Sequence, residues 1–218
     1  IFDVVASAVG LVLLSPVFLA AAILVKLSSA GPVFFRQERV GRGFRPFSIC
    51  KFRSMVQDAP GRGRVITAGE DPRITPVGRI LRRTKIDEIP QLINVFTGDM
   101  SLVGPRPEVP KYVEMFRDDY ETILQVRPGI TDLASLTFRD EAAVLGRADD
   151  PEKEYTARIL PEKIRLAKEY IARSSLRFDL KILFMTVFRL TADRFTRPVS
   201  STEWADGDEA STDGKAND

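Results

Sequence analysis

The first feature of the hydrophobic pattern is a continuous apolar run near the start of the chain. Residues 4–25 carry no charge over 22 positions, and Asp3 and Lys26 flank them. A run of this length is typical of a membrane helix and is longer than a core helix needs. Ser15 and Pro16 lie in the middle of it. The pattern therefore predicts a membrane segment that is interrupted at its centre.

The interruption leaves two membrane geometries open. Proline removes a backbone donor and clashes with the preceding turn, so we expect the helix to break at Ser15 and Pro16, with the Ser15 hydroxyl helping to satisfy the backbone. The segment is either a kinked spanning helix or a re-entrant helix-break-helix that returns to the side it entered, and hydropathy alone favours spanning. Four arginines place the end of the segment at the cytoplasm and would attract anionic headgroups: Arg36, Arg39, Arg42 and Arg45.

The next segments alternate between apolar and polar residues and then change to a helical period. Residues 32–40 and 44–52, separated by a glycine-containing turn, predict a β-hairpin. Thr75 and Pro76 predict the N-cap and first residue of a helix that runs to about Lys85.

The rest of the chain is predicted to be mainly helical. Residues 108–124 and 161–172 predict helices, the second amphipathic and charged, and Ser175 caps a further helix that we interpret as interfacial or buried. Residues 198–218 form an acidic, Ser- and Gly-containing tail that we expect to be disordered. The predicted fold class is α+β, mainly helical, with one small hairpin and amphipathic interfacial helices.

Composition excludes several kinds of active site. A chain of 218 residues allows one domain with appendages. Cys50 is the single cysteine and there is no histidine, so disulfides, zinc clusters, Ser-His-Asp triads and histidine bases are excluded. A metal would need oxygen ligands, which favours Mg²⁺, with Mn²⁺ as an alternative. Catalysis falls to Asp, Glu, Lys, Tyr or Ser.

Charge is distributed unevenly around a net value of +2. Residues 36–64 contain eight basic residues and two acids, which indicates either a solvated face or a surface for an anionic partner. A nucleic-acid partner is not expected, because the chain has neither a recognisable nucleic-acid-binding motif nor an overall basic charge.

Asp87 and Glu88 are the main candidates for chemistry. They stand among the cationic residues Arg82, Lys85 and Arg106. Cations keep carboxylates ionised, and an ionised carboxylate can act as nucleophile, base or metal ligand beside an anionic substrate such as a phosphate. In the alternative interpretation Asp87 caps a helix running through Leu92, and spacing alone favours this interpretation.

A second candidate is the segment in which Pro105 and Pro107 flank Arg106. The two prolines limit the main-chain freedom of the arginine and would position its guanidinium for an anion or a base edge. A surface turn is an equally good interpretation of these three residues alone.

Several separated motifs in order resemble the bacterial sugar transferases, the monotopic polyprenyl-phosphate phosphoglycosyl transferases. The resemblance runs to about Leu190. It rests on Phe2-Asp3, the Ser15-Pro16 break, Lys51-Phe52-Arg53-Ser54-Met55, Asp87-Glu88-x-Pro90-Gln91-Leu92, Gly98 to Pro107, and Arg127-Pro128-Gly129-Ile130-Thr131. Asp132 then stands where the commoner pattern has glycine, which points to a subgroup with a different donor preference.

The resemblance implies a two-step transfer of a sugar 1-phosphate from a UDP-sugar to polyprenyl (undecaprenyl) phosphate, with release of UMP. It implies that Asp87 is the nucleophile that forms a covalent aspartyl-phosphosugar, that Glu88 completes the catalytic dyad, and that Mg²⁺ sits beside Asp87. Lys51, Arg53, Arg82 and Arg106, with Pro105 and Pro107, match substrate-binding positions.

The resemblance also implies a location and a pathway. It reverses the expectation from hydropathy, because the family's first helix is re-entrant. The implied organisation is a re-entrant membrane helix at 1–30, a catalytic domain at 31–197 on the cytoplasmic face of the bacterial inner membrane, and the tail at 198–218. The expected partners are the donor, the lipid acceptor, the bilayer and downstream glycosyltransferases, at the start of exopolysaccharide, O-antigen, capsule or glycoprotein glycan assembly.

The alternative function is a catalytically silent, membrane-anchored scaffold of a glycan assembly complex. Asp87, Glu88, Lys51 and Arg106 are all present, and no structural requirement evident in the sequence explains all four together. Their presence favours the enzyme.

Overall fold

A computed structural model shows a mainly helical chain with two small two-stranded sheets, which confirms the predicted mainly helical fold class. The structure describes residues 1–61, 66, 67, 69, 71–138 and 141–192. The contacts between residues define two compact units, Ile1–Thr186 and Val187–Asp218, and the structure describes the second unit only as far as Ala192. The predicted acidic tail at 198–218 lies outside the described residues.

The described residues form the following helices and strands. The helices are α1 (Phe2–Leu13), α2 (Ser15–Ser28), α3 (Pro76–Arg83), α4 (Gln91–Thr97), α5 (Pro110–Met115), α6 (Arg117–Ile123), α7 (Leu133–Thr137), α8 (Glu141–Leu145), α9 (Pro151–Glu154), α10 (Leu160–Arg173) and α11 (Leu176–Ala192). The strands are β1 (Phe34–Val40), β2 (Pro46–Phe52), β3 (Ser101–Val103) and β4 (Gly129–Thr131).

The apolar run folds as two helices, α1 and α2, with a bend of 63° between them. Among the described residues no single helix is long and apolar enough to cross a membrane, whereas this bent pair passes that test together. Pro16 has no N–H to offer the carbonyl of Val12, and the Ser15 hydroxyl donates to that carbonyl at 2.8 Å. The break and the role of the Ser15 hydroxyl are therefore confirmed.

Both ends of the helix pair are fastened by hydrogen bonds to later parts of the chain. Near the start of α1, the Asp3 carboxylate accepts from the Ser101 hydroxyl at 2.9 Å and from the Leu102 N–H at 3.1 Å. At the end of α2, the Arg53 guanidinium donates to the Ser29 carbonyl at 2.7 Å and to its hydroxyl at 2.9 Å. The two ends are thus tied to strand β3 and to the residue that directly follows β2.

The predicted hairpin is confirmed as the antiparallel pair β1–β2, with Phe34 opposite Phe52. Strand β2 carries Ile49, Cys50 and Phe52 into the core, and Phe52 packs edge-on against Phe18 of α2 with ring centroids 4.9 Å apart. Helix α3 begins as predicted, since the Thr75 hydroxyl accepts from the Gly78 N–H at 2.9 Å. Phe52 of the hairpin, Val25 of α2 and Leu81 of α3 belong to one buried cluster, which packs the three elements together.

Of the helices predicted in the C-terminal half of the chain, one was wrong and two were found. Residues 108–124 do not form one helix, because Phe116 leaves the helical region (φ −121°, ψ 39°) and separates α5 from α6. The predicted helix at 161–172 is confirmed as α10, and the Ser175 hydroxyl accepts from the Phe178 N–H at the start of α11. α10 packs on α6, and buried Tyr112, Leu145 and Leu160 belong to one cluster.

Strands β3 and β4 pair in parallel and place the segment after β3 beside α7. Gly104 and Gly129 approach so closely that a side chain on either would meet the other's backbone. The close approach fixes the path of the chain into Pro105, Arg106 and Pro107, which follow directly.

Candidate active site

Asp87 and Glu88 lie on a short 3-10 turn, Ile86–Glu88, between α3 and α4. Lys85 precedes the turn in the left-handed region (φ 59°, ψ 13°), a conformation that favours glycine. The Lys85 carbonyl accepts from the Glu88 N–H at 3.2 Å. Lys85 therefore reverses the chain at the end of α3 and presents the two carboxylates from one turn.

The helix-cap interpretation of Asp87 is wrong. α4 begins at Gln91 behind Pro90, and no side chain caps its first turn. Asp87 is buried, and its Oδ1 has no hydrogen-bond partner among the described residues. A buried oxygen without a partner is costly, so its presence needs a reason other than helix capping.

Glu88 is held by two cations from different parts of the chain. Lys51 Nζ on β2 donates to Glu88 Oε1 at 3.0 Å, and Arg106 donates through Nη1 to Oε2 at 3.3 Å and through Nη2 to Oε1. Burial alone would raise the pKa of Glu88, but Arg106 and Lys51 outweigh burial and hold that pKa well below its usual range. Glu88 is therefore ionised, and both of its carboxylate oxygens accept hydrogen bonds from these cations.

The pKa of Asp87 moves in the opposite direction. Burial raises it, and the neighbouring charge of Glu88 raises it further, while Lys51, Lys85 and Arg82 oppose the shift. Two adjacent carboxylates therefore have different environments: one is bound to cations and the other has a free oxygen. This difference makes Asp87 the better candidate for bond formation and Glu88 the better candidate for organising the cations.

Arg106 is positioned through its main chain as well as its side chain. Its N–H donates to Asp132 Oδ2 at 3.1 Å, and Asp132 Oδ1 caps α7 by accepting from the Ser135 N–H at 2.7 Å. The carbonyl of Pro107 accepts from Arg39 Nη1 at 3.2 Å. The segment is therefore held on both sides of Arg106. The sequence marked Asp132 only as a departure from a pattern and gave no signal of its contact with Arg106.

The other predicted binding residues lie at different places. Arg82 Nε donates to the Ser54 hydroxyl at 2.9 Å, and its charge acts on Asp87. Arg53, 5% exposed, points to Ser29 at the end of α2 and makes no hydrogen bond to Asp87 or Glu88. The structure thus gathers Lys51, Arg82 and Arg106 around the carboxylates and places the Arg53 hydrogen bonds at the end of α2.

A second polar cluster, in which Tyr155 is buried and Arg39 and Glu108 are partly buried, contacts the segment that follows Arg106. Glu108 Oε1 accepts from Arg39 at 3.0 Å, and Glu108 Oε2 accepts from the Tyr155 hydroxyl at 2.5 Å. Burial and the charge of Glu108 raise the pKa of Tyr155, so the hydroxyl stays a donor. Sequence reasoning missed this cluster because its members are far apart in the chain.

The described residues offer a metal ion few protein ligands. They contain no group of three or more His, Cys, Asp or Glu side chains that could hold one. A hard cation such as Mg²⁺ often takes only one or two carboxylates and completes its shell with water and substrate phosphates. The free Asp87 Oδ1 fits that use.

Comparison with known proteins gives consistent relatives. The family model described as "Bacterial sugar transferase" matches residues 1–193. The chain is 42% identical over 192 residues to the UDP-glucose:undecaprenyl-phosphate glucose-1-phosphate transferase of Escherichia coli (strain K12), covering 86% of this chain and 39% of that protein. It is 42% identical over 188 residues to the UDP-N-acetylgalactosamine-undecaprenyl-phosphate N-acetylgalactosaminephosphotransferase of Aeromonas hydrophila, covering 85% and 41%.

A shorter relative is matched over most of its length. The chain is 37% identical over 195 residues to the exopolysaccharide production protein PSS of Rhizobium leguminosarum bv. phaseoli, covering 85% of this chain and 91% of that protein. By contrast, the chain spans only about two fifths of the two longer relatives, 39% and 41% of their lengths.

Proposed function

Because this chain belongs to the bacterial sugar transferase family, we propose that it transfers a sugar 1-phosphate from a UDP-sugar to undecaprenyl phosphate and releases UMP. Relatives named for this reaction support the donor and acceptor classes. The observation that carries the proposal is the buried, unpartnered Asp87 Oδ1 beside a Glu88 that binds Lys51 and Arg106.

The first step is attack by the Asp87 carboxylate on the sugar-linked phosphorus of the donor. The new bond joins an Asp87 oxygen to phosphorus, the pyrophosphate P–O bond breaks, and its electron pair leaves with UMP. No proton has to move, because the nucleophile is already a carboxylate and UMP leaves as an anion. Arg106, Lys51 and Arg82 supply positive charge where the phosphate oxygens would lie.

The second step returns the enzyme to its starting state. A phosphate oxygen of undecaprenyl phosphate attacks the same phosphorus, the Asp87–phosphorus bond breaks, and the carboxylate reforms. The product is the lipid diphosphate sugar. The transfer between two bulky anions is thus divided into two displacements at one phosphorus, in which the Asp87 carboxylate is first the nucleophile and then the leaving group.

Mg²⁺ fits the proposed site, with Mn²⁺ as the alternative. Asp87 Oδ1 would hold the ion, which neutralises developing charge on the phosphate oxygens when bound. Glu88 is the weaker ligand because Lys51 and Arg106 already occupy its oxygens. The structure contributes the free oxygen and the surrounding cations.

The bent helix pair is proposed to enter the membrane and return to the cytoplasmic face. A spanning segment would place its ends about 30 Å apart on opposite sides of the hydrocarbon core. Here Asp3 near one end binds Ser101, and Ser29 at the other end binds Arg53. Both ends are therefore held to one compact unit, 1–186. Val12 and Leu13 beside the bend are each 72% exposed, which suits contact with lipid tails.

This arrangement would bring the dyad to the plane of the acceptor's phosphate. α1 packs on α4, the helix that directly follows the dyad turn. α3 and α4 expose further apolar side chains toward their surroundings, namely Ile80, Ile93 and Phe96. We therefore propose that the chain acts at the cytoplasmic face of the bacterial inner membrane, where it would start a membrane-bound glycan and pass its product to downstream glycosyltransferases.

Release of UMP tests the proposed chemistry. Asp87→Asn keeps the size of the side chain and removes the nucleophile, so we expect loss of UMP release with folding and membrane binding retained. Turnover by this variant would exclude Asp87 as nucleophile. A folded wild-type chain that releases no UMP with any UDP-sugar tested would favour the scaffold alternative.

A further inference from the structure

Three buried side-chain atoms without a hydrogen-bond partner lie close together in sequence beside the dyad. They are Asp87 Oδ1 and both polar atoms of the Gln91 amide, Oε1 and Nε2, with partners sought among the described residues. Gln91 is 0% exposed and Asp87 is 6% exposed. Gln91 takes part in no step of the proposed mechanism so far.

The two residues belong to one continuous helical stretch. The 3-10 turn Ile86–Glu88 leads through Ile89 (φ −53°, ψ −37°) and Pro90 (φ −60°, ψ −16°) into α4 at Gln91. The hydrogen bonds here join residues three apart, as in a 3-10 helix: the Ile86 carbonyl accepts from the Ile89 N–H at 3.2 Å and the Ile89 carbonyl from the Leu92 N–H at 3.0 Å. Gln91 therefore follows Asp87 by slightly more than one helical turn.

An amide in this position is unfavourable for stability alone. A buried polar group without a partner keeps the full cost of losing its hydration, and an apolar side chain of similar shape removes that cost. Unpartnered buried groups in native proteins are explained by bound water, bound ions or a role in the site. The Gln91 amide thus points to something that binds beside Asp87.

The chemistry of the site favours a cation as the bound group. Lys51 and Arg106 occupy the oxygens of Glu88, and the described residues offer no group of three or more His, Cys, Asp or Glu side chains. A hard divalent cation accepts neutral amide oxygens together with carboxylates, water and phosphate oxygens. Gln91 Oε1 is such an oxygen, buried and without a partner among the described residues, on a residue slightly more than one turn after Asp87.

We propose that Gln91 Oε1 and Asp87 Oδ1 are the two protein ligands of the divalent cation in this site. The assignment rests on the proposed phosphosugar transfer for the presence of a cation. Because the amide is neutral, the two protein ligands together carry one negative charge, whereas two carboxylates would carry two. Nε2 of Gln91 then remains as a donor to a phosphate oxygen of the bound substrate.

The test compares cation binding and stability in purified full-length protein. Wild type, Gln91→Leu and Gln91→Glu are melted in EDTA and in MgCl₂, and Mn²⁺ binding is titrated by electron paramagnetic resonance. Without a cation, Gln91→Leu should melt at or above the wild-type temperature, because two unpartnered polar groups are gone. Its Mg²⁺-induced rise in Tm should be lost and its Mn²⁺ affinity should fall about tenfold or more. Gln91→Glu keeps an oxygen ligand and should keep the Mg²⁺-induced rise.

Several results would overturn the assignment. If Mg²⁺ raises the Tm of Gln91→Leu as much as that of wild type, the amide is not a ligand. If the Tm of Gln91→Leu without a cation is clearly below that of wild type, the amide has protein partners. No cation-dependent change in wild type removes the site itself. If Gln91→Leu does not fold, Gln91→Met supplies the same comparison.

The outcome can be separated from that of the proposed function. Cation binding is measured without substrate, whereas the transferase assignment depends on UMP release by wild type and its loss in Asp87→Asn. Mn²⁺ binding that needs Gln91 in a chain that releases no UMP would refute only the transfer reaction.

Discussion

Removing the charge of Glu88 should destabilise the protein strongly, because Glu88 pairs with two cations that are mostly out of water. In Glu88→Gln the side chain keeps its shape, and Lys51 and Arg106 lose their counter-charge. The Glu88 side chain is 13% exposed and the Lys51 side chain 20% exposed, so water screens the pair only partly.

The magnitude follows from that burial. Breaking a buried ion pair from one side costs about 3–5 kcal/mol, and we take the lower end, about 3 kcal/mol, because the Arg106 side chain is 32% exposed. For a chain of this size that corresponds to a fall in Tm of roughly 6–12 °C. The matched control is Glu162→Gln: Glu162 pairs with Arg165 on the exposed face of α10, and its loss should cost at most about 0.5 kcal/mol.

Thermal unfolding of both variants in the same detergent is the assay, with a double-mutant cycle as a second readout. Arg106→Gln should cost less in the Glu88→Gln background than in wild type, since in that background it removes a cation that has already lost its partner. The pH dependence gives an independent sign. Because the pKa of Glu88 is lower in the folded protein than its ordinary 4.5, the pair stabilises above about pH 4.5, and this contribution disappears as pH falls toward the folded-state value. Equal Tm losses in Glu88→Gln and Glu162→Gln would refute the reasoning.

Three further predictions concern other residues. Burial and the charge of Glu88 raise the pKa of Asp87 above its ordinary 3.8. The rate of UMP release plotted against pH should therefore fall on the acid side with an apparent pKa above 3.8. An apparent pKa at or below 3.8 would contradict an Asp87 nucleophile in this environment. Lys85→Gly should be more stable than Lys85→Ala by about 1 kcal/mol in denaturant melts, because only glycine relieves the left-handed backbone; equal stability would show that the conformation carries no strain. In a Cys50→Ala background, Phe2→Cys and Leu27→Cys should both resist a membrane-impermeant maleimide added from the periplasmic side and both react after lysis, whereas labelling at one end alone would restore a spanning helix.

Local sequence patterns predicted the elements well. The uncharged run, the Ser15-Pro16 break, the hairpin and the Thr75 cap depend on residues close in the chain, and each was found. Local patterns failed at Asp87, because an aspartate can serve equally as a helix cap or as an active-site carboxylate. Asp87 has the spacing of a helix cap, but Pro90 and the left-handed Lys85 shift the start of α4 to Gln91.

Contacts between distant segments could not be predicted from periodicity. Asp3 binds Ser101, and Arg106 binds Asp132, because the parallel pairing of β3 and β4 and the return of α1 bring them together. Arg53 was assigned to substrate from its neighbourhood in sequence to Lys51. Arg53 lies just beyond the end of β2, and its guanidinium donates to Ser29 at the end of α2.

The central claim is that Asp87 becomes covalently linked to the phosphosugar, and intact-protein mass spectrometry tests it most directly. Wild type incubated with a UDP-sugar and Mg²⁺, without undecaprenyl phosphate, should gain the mass of one sugar phosphate and release up to one equivalent of UMP. Peptide mapping should place the added mass on Asp87, Asp87→Asn should gain none, and added undecaprenyl phosphate should remove it. Repeated UMP release that requires undecaprenyl phosphate, with no adduct at any time before it is added, would contradict the claim.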